Sequence, residues 1–169
     1  MRLKALAALL LFFAGVASPA EDPWQPLRFL VGTWTGEGGG APGQGSGSFS
    51  FQLDLQDKVL IRKNRADYPA AKDRPAYSHE DLMVVYPEEK KWKAVYFDNE
   101  GHVIHYSVEL SKDQGVLTFL SDAVPSAARY RLTYTKAPDG KLAIRFEIAP
   151  PGKPDGFSTY LEAIARRER

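Results

Sequence analysis

Cysteine is absent from the 169 residues, histidine occurs three times and methionine twice. Without thiols there is no disulfide framework, no thiolate metal centre and no lipidated cysteine. Such a chain must hold its fold by burying apolar surface. A surplus of either charge is missing as well, with 22 Lys and Arg against 21 Asp and Glu. Proteins that grip a phosphate backbone carry a marked basic excess, so nucleic acid is not an expected partner. The one basic cluster, Arg166-Arg167-Glu168-Arg169, reads as a solvated tail. Long apolar runs are also lacking. The longest, residues 5–17, falls short of the ~20 residues that a membrane-spanning helix needs.

That short run carries another meaning. Arg2 and Lys4 precede it, and Ser18-Pro19-Ala20 follows with small residues, the pattern of an export signal. The expectation is a signal peptide over residues 1–20 cleaved after Ala20, one domain over 21–169, and a periplasmic or secreted product with no membrane span. Taking 20 residues from 169 leaves 149, a size that buries ~70% of its unfolded surface on folding. Losing Arg2 and Lys4 leaves 20 basic side chains against 21 acidic, a net charge of −1.

Gly and Pro punctuate the rest at short intervals, with alternating apolar residues between them. Ten strands are predicted, near 33–37, 48–55, 58–66, 79–86, 92–98, 102–110, 115–121, 128–136, 141–149 and 157–165. Helix is suggested only as one or two turns from Trp24 to Leu30. Phe49, Phe51, Leu53 and Leu55 share one strand face, and Ser48, Ser50, Gln52 and Asp54 the other. Tyr130, Leu132 and Tyr134, and then Leu142, Ile144, Phe146 and Ile148, repeat the pattern. One face is apolar and one is wet, as an antiparallel sheet around a core requires. The fold class predicted is all-β, a single antiparallel up-and-down barrel.

Turn chemistry sets register. Pro138-Asp139-Gly140 suits a type I turn with Gly in the left-handed position, pairing Tyr134 with Ile144 and Leu132 with Phe146. For the Asn99-Glu100-Gly101 turn, an even loop is the expectation. It places Val95 and Phe97 on the face of Ile104, Tyr106 and Val108, and Tyr96 with Val103, His105 and Ser107 on the other.

Catalytic and metal signatures are few. Gly38, Gly40 and Gly43 form a formal GxGxxG, but a β pattern follows where a nucleotide site requires a helix, so a loop is expected. On a strand, His102 and His105 point to opposite faces. His79 shares a face with Asp81, and His105 is the remaining third ligand, short of a usual metal set. No metal, cofactor or catalytic residue is therefore assigned. The aromatic residues Phe49, Phe51, Phe97, Tyr106, Tyr130, Tyr134 and Phe146 fall on the apolar parity of their strands. A ten-stranded barrel is wider than the eight-stranded kind that side chains just fill, so these seven are the expected lining of a ligand cavity. The connection from Asp67 to Tyr77, with Pro69 and Pro75, is placed to cap one mouth.

At Gly32-Thr33-Trp34 the chain resembles the calycin superfamily of lipocalins, fatty-acid-binding proteins and nitrobindin-like barrels. The opening from Leu30 to Gly38 is most similar to the nitrobindin type. The resemblance implies a Trp at the barrel base covered by a basic side chain near the last strand, a position that Arg166 or Arg167 matches. His79-Glu80-Asp81-Leu82, Phe97 to His102 and Glu147 to Lys153-Pro154 resemble a group of exported bacterial calycin-like proteins, a likeness that implies no activity. Nitrobindin-like barrels hold haem through a histidine near the C-terminal strand, and no histidine follows His105, so haem is not carried over. The functional expectation is an exported barrel that binds a small apolar or amphipathic molecule. Two alternatives stand beside it. One is an enzyme using His79, Asp81 and His105 as acid–base groups, and the other an envelope interaction protein with a filled barrel.

Overall fold

The computed structural model describes residues 22–37 and 46–168. The proposed signal segment and Gly38, Gly40 and Gly43 lie outside the described residues. A 3-10 helix, Gln25–Leu30, leads into ten strands: β1 (Gly32–Glu37), β2 (Ser46–Asp54), β3 (Val59–Tyr68), β4 (Tyr77–Glu88), β5 (Lys91–Asp98), β6 (Val103–Leu110), β7 (Val116–Ser121), β8 (Arg129–Lys136), β9 (Leu142–Ala149) and β10 (Ser158–Arg167). Each strand pairs antiparallel with its sequence neighbours, and β10 returns to β1 to close the barrel. Alternation along the sequence located all ten strands, with no end displaced by more than two residues.

Residues of one parity on every strand face inward. In the lower half they fill the barrel completely: Phe51, Leu60, Met83, Val85, Leu117, Phe119, Tyr134 and Leu142 are buried. The 3-10 helix plugs this end with Trp24, Leu27 and Leu30, all buried. Trp24 Nε1–H donates to the Asp57 carbonyl at 2.7 Å, and Trp34 Nε1–H to that of Leu30 at 2.8 Å. Buried indoles thus have their one donor satisfied, as low-polarity surroundings demand. The Arg167 guanidinium lies 4.4 Å from the Trp34 ring centre and donates to the carbonyls of Val31 and Phe29, the latter at 2.8 Å. Of the two arginines that suited this place, Arg167 takes it.

Gly32 explains why the motif opens with glycine. Its φ is +131°, and a Cβ there would stand 2.5 Å from Arg167 Nη1. A side chain would be strained by the backbone and would also collide with the guanidinium.

The β8–β9 hairpin has the expected register, Tyr134 with Ile144 and Leu132 with Phe146, and Gly140 has φ +79°. The β5–β6 hairpin does not. Phe97 pairs with Val103 and Tyr96 with Ile104, so the loop is odd and parity reverses. Asp98 is the cause. Its carboxylate accepts from the backbone N–H of Glu100 (3.0 Å) and His102 (2.9 Å), while Gly101 takes φ +93°. Asp98 N–H in turn donates to the His102 carbonyl at 3.3 Å. Only three residues then separate the bonded pair, and Tyr96, not Phe97, joins Ile104 and Tyr106 inside.

Replacing Arg167 with Ala is expected to lower unfolding free energy by ~1–2 kcal/mol, from the lost ring contact and carbonyl bonds. Arg166→Ala, on the outer face, should change it little. Urea denaturation of both variants checks the contrast.

Candidate ligand cavity and its polar mouth

Above the packed lower half the barrel opens into a cavity of about 440 Å³, within the range of small-molecule sites. Its two walls differ in kind. Tyr130 and Leu132 of β8, Ile144, Phe146 and Ile148 of β9, and Leu161 and Ala163 of β10 form an apolar wall. Tyr130 and Phe146 stack in parallel with ring centres 6.0 Å apart, and Tyr160 meets Phe146 edge-on at 6.0 Å. Arg62 and Asn64 of β3, His79 and Asp81 of β4, Tyr96 and Asp98 of β5, and Glu100 and His102 beyond it form the other wall.

The polar wall is one connected network. Arg62, buried, pairs with Asp81 through Nη1. Asn64 Nδ2–H donates to the other Asp81 oxygen at 2.9 Å. His79 Nε2 stands 3.4 Å from that same oxygen and 3.2 Å from the Tyr96 hydroxyl. Tyr96 donates to Asp98 at 3.2 Å, and the His102 ring reaches Asp98 through Nδ1 at 2.8 Å. On its far side His79 Nδ1 meets Glu100 Oε1 at 3.0 Å.

These contacts set the protonation states. The Asp81 carboxylate is the largest influence on His79. Burial opposes it and Glu100 reinforces it, and the imidazole pKa rises to about 9, so His79 carries its proton at neutral pH. Burial raises the Tyr96 phenol, with Asp81 and Asp98 adding to the effect, which keeps it a proton donor. Burial alone would raise Asp98, but bonds from the His102 backbone and ring and the Glu100 backbone hold it below its ordinary value.

At the rim Tyr68 stacks on Tyr77 at 4.6 Å, and the Arg74 guanidinium lies 4.6 Å from the Tyr77 ring. The residue 69–76 connection is pinned beside the mouth, and Tyr68 and Tyr77 line the cavity beneath it.

Of the seven aromatic residues expected to line a cavity, Phe49, Tyr106, Tyr130 and Phe146 do so. Phe51 and Tyr134 face inward but lie within the packed half, their rings 5.5 Å apart edge-to-face. Phe97 is a correction: it is 42% exposed on the outer wall, because of the odd β5–β6 loop. It borders a more open groove of about 630 Å³ along the outside of β1–β5. His105 is a second correction, since it is exposed beside Val103 on that same outer parity. The trio of His79, Asp81 and His105 is therefore not assembled, although His79 and Asp81 do meet.

Sequence reasoning missed Arg62 and Asn64, and the signal was available. They follow Leu60 at i+2 and i+4 on β3 and pair with Phe51 and Phe49, so their parity is the apolar one. Loop parity also hid Tyr96, expected on the outer face, and Asp98, while Glu100 and His102 lie in the turn itself, where alternation gives no signal.

The class of protein so defined is a closed ten-stranded antiparallel barrel with an interior cavity. Neither a protein-family model nor a curated protein sequence matches the chain. Among solved structures it is similar to the crystal structure of Rv2717c from M. tuberculosis, with a TM-score of 0.58 and 16% identity over 90% of this chain and 99% of that one. At that identity the likeness is one of fold.

Asp81→Asn would leave Arg62 without its counter-charge in a buried setting, and is expected to cost ~3 kcal/mol of stability in denaturant unfolding. The His79 charge adds stability with the opposite pH sense to a paired carboxylate. The contribution is full below about pH 6.5, the ordinary imidazole value, and is lost as pH rises through about 9. In NMR titration of the ligand-free chain the His79 ring should show its midpoint near 9, and a midpoint at 6.5 would contradict the network.

Proposed function

We propose that the protein is an exported, calycin-like barrel that binds one small amphipathic molecule. The observation that carries this is the two-walled cavity of about 440 Å³, with apolar side chains of β8–β10 facing charged and hydroxyl groups of β3–β6. The apolar body of the ligand lies against Tyr130, Ile144 and Phe146, and its polar head against Arg62, His79 and Tyr96. Export is supported by the basic, apolar and small-residue order of residues 1–20. Calycin kinship is supported by Gly32-Thr33-Trp34 and by the Arg167 contact on Trp34.

The His79–Tyr96 contact at 3.2 Å inside this cavity favours a second reading, proton transfer on the bound molecule. Turnover that disappears in His79→Gln while binding persists would select that reading. The filled-barrel alternative has less support, because the upper interior is open. The exposed large apolar side chains are spread over turns, rim and outer wall, at Leu55, Val124, Tyr77, Tyr160, Ile164 and the neighbouring Phe97 and Val103.

Solvent extraction of the purified protein followed by mass spectrometry is expected to release an amphipathic molecule. The filled variant Ala163→Trp should keep the fold by circular dichroism and bind an apolar fluorescent probe, ANS, at least about tenfold more weakly, ~1.4 kcal/mol. Equal ANS binding by both proteins, with nothing extracted, would refute the cavity as a binding site.

A further inference from the structure

One histidine and two carboxylates converge at the mouth from β4, the end of β5 and the turn that follows it. A ring nitrogen of His79, a carboxylate oxygen of Asp98 and one of Glu100 all lie within 4.8 Å of one another. Ligand atoms ~2.1 Å from a zinc-like ion stand ~3.4 Å apart in a tetrahedron, so a small side-chain adjustment closes the set. Glu100, exposed at the hairpin tip, is free to make it.

The surroundings of His79 provide an independent observation. When Nδ1 faces the ion, Nε2 is left between the Tyr96 hydroxyl at 3.2 Å and Asp81 Oδ2 at 3.4 Å. Asp81 is itself fixed by the buried Arg62 and by Asn64. A carboxylate held behind the second nitrogen of an imidazole is the recurrent outer shell of metal-binding histidines, where it sets tautomer and ring orientation. Asp98 is anchored too, its side chain only 4% exposed and bonded to two backbone N–H groups. Two of the three ligands are thus positioned by groups that need not move when an ion arrives.

We propose that His79, Asp98 and Glu100 hold one divalent transition-metal cation at the mouth of the barrel. Imidazole with carboxylate, and no thiolate, selects an ion of the zinc, cobalt or nickel kind over a soft one such as Cu(I). Three protein ligands leave a coordination position open toward the cavity, where an oxygen or nitrogen of a bound molecule would enter. The inference stands apart from the ligand reading, since metal uptake can be measured without any organic molecule.

The test uses the full chain, stripped with chelator and titrated with Co²⁺, followed by calorimetry and by the visible absorption of the ion. One Co²⁺ per chain with saturable visible bands is expected. His79→Gln and Glu100→Gln should each weaken uptake by more than the ~tenfold that loss of an outer-shell partner costs. His105→Gln, altered on the outer wall, should leave it unchanged. Glu100 is exposed, so that variant remains folded whatever His79→Gln does. Failure of Co²⁺ to bind saturably overturns the proposal, and so does uptake that Glu100→Gln leaves as it was.

Discussion

Closure of β10 onto β1 is the constraint from which the rest follows. An open ten-stranded sheet would expose two rows of unpaired backbone groups and would let its inner residues fall together. Here Trp34 pairs across to Arg167 on β10 and to Phe49 on β2, while the guanidinium of Arg167 seals the indole and caps two carbonyls of the entering chain. The bottom of the barrel is thereby a solid plug of Trp24, Leu27, Leu30 and Trp34. With one end fixed so firmly, the other end can remain empty.

That emptiness is selective. Large rings (Phe49, Phe51, Phe119 and Tyr134) fill the middle, with centre distances of 5.5 to 6.3 Å among themselves and to Trp34. Above them inward positions on β3 and β4 change from Leu60, Met83 and Val85 to Arg62, Asn64, Asp81 and His79. The same alternation that builds the core delivers charges to the interior one residue pair higher. Buried ions cost several kcal/mol each unless they are paired, and the two buried ones here, Arg62 and Asp81, pair with each other.

Strand positions, the single barrel, the Pro138-Asp139-Gly140 register and the shared face of His79 and Asp81 were all legible in the sequence, because side-chain alternation is a local property of the backbone. The polar half of the site was not. It depends on whether an odd or an even number of residues lies between the paired positions of β5 and β6, and that is decided by the Asp98 carboxylate capping two N–H groups. One loop residue more or fewer turns Tyr96 inward and Phe97 outward. Glu147 illustrates a milder limit. Its alternation marks it for the wet face, where it does sit, yet it is buried. Arg131 binds it through two bonds, 2.6 and 2.8 Å, and Phe157 from the β9–β10 connection covers that guanidinium at 4.1 Å. Coverage by a connecting segment leaves no trace in period-two patterning.

The contrast between the walls also narrows what the cavity can hold. A hydrocarbon would gain ~25 cal/mol for each Å² of apolar surface removed from water. Pressed against β3–β6, it would exclude water from the exposed parts of His79, Glu100 and His102. Each charged group denied a hydrogen bond there costs more than a neutral one, at ~1–3 kcal/mol or above, so two or three such losses cancel the gain from about a hundred to a few hundred Å² of contact. A sugar-like molecule meets the reverse difficulty at Ile144, Phe146, Leu161 and Ala163. The molecule we propose, with one polar end, would satisfy both walls, its head against β3–β5 and its body along β8–β10.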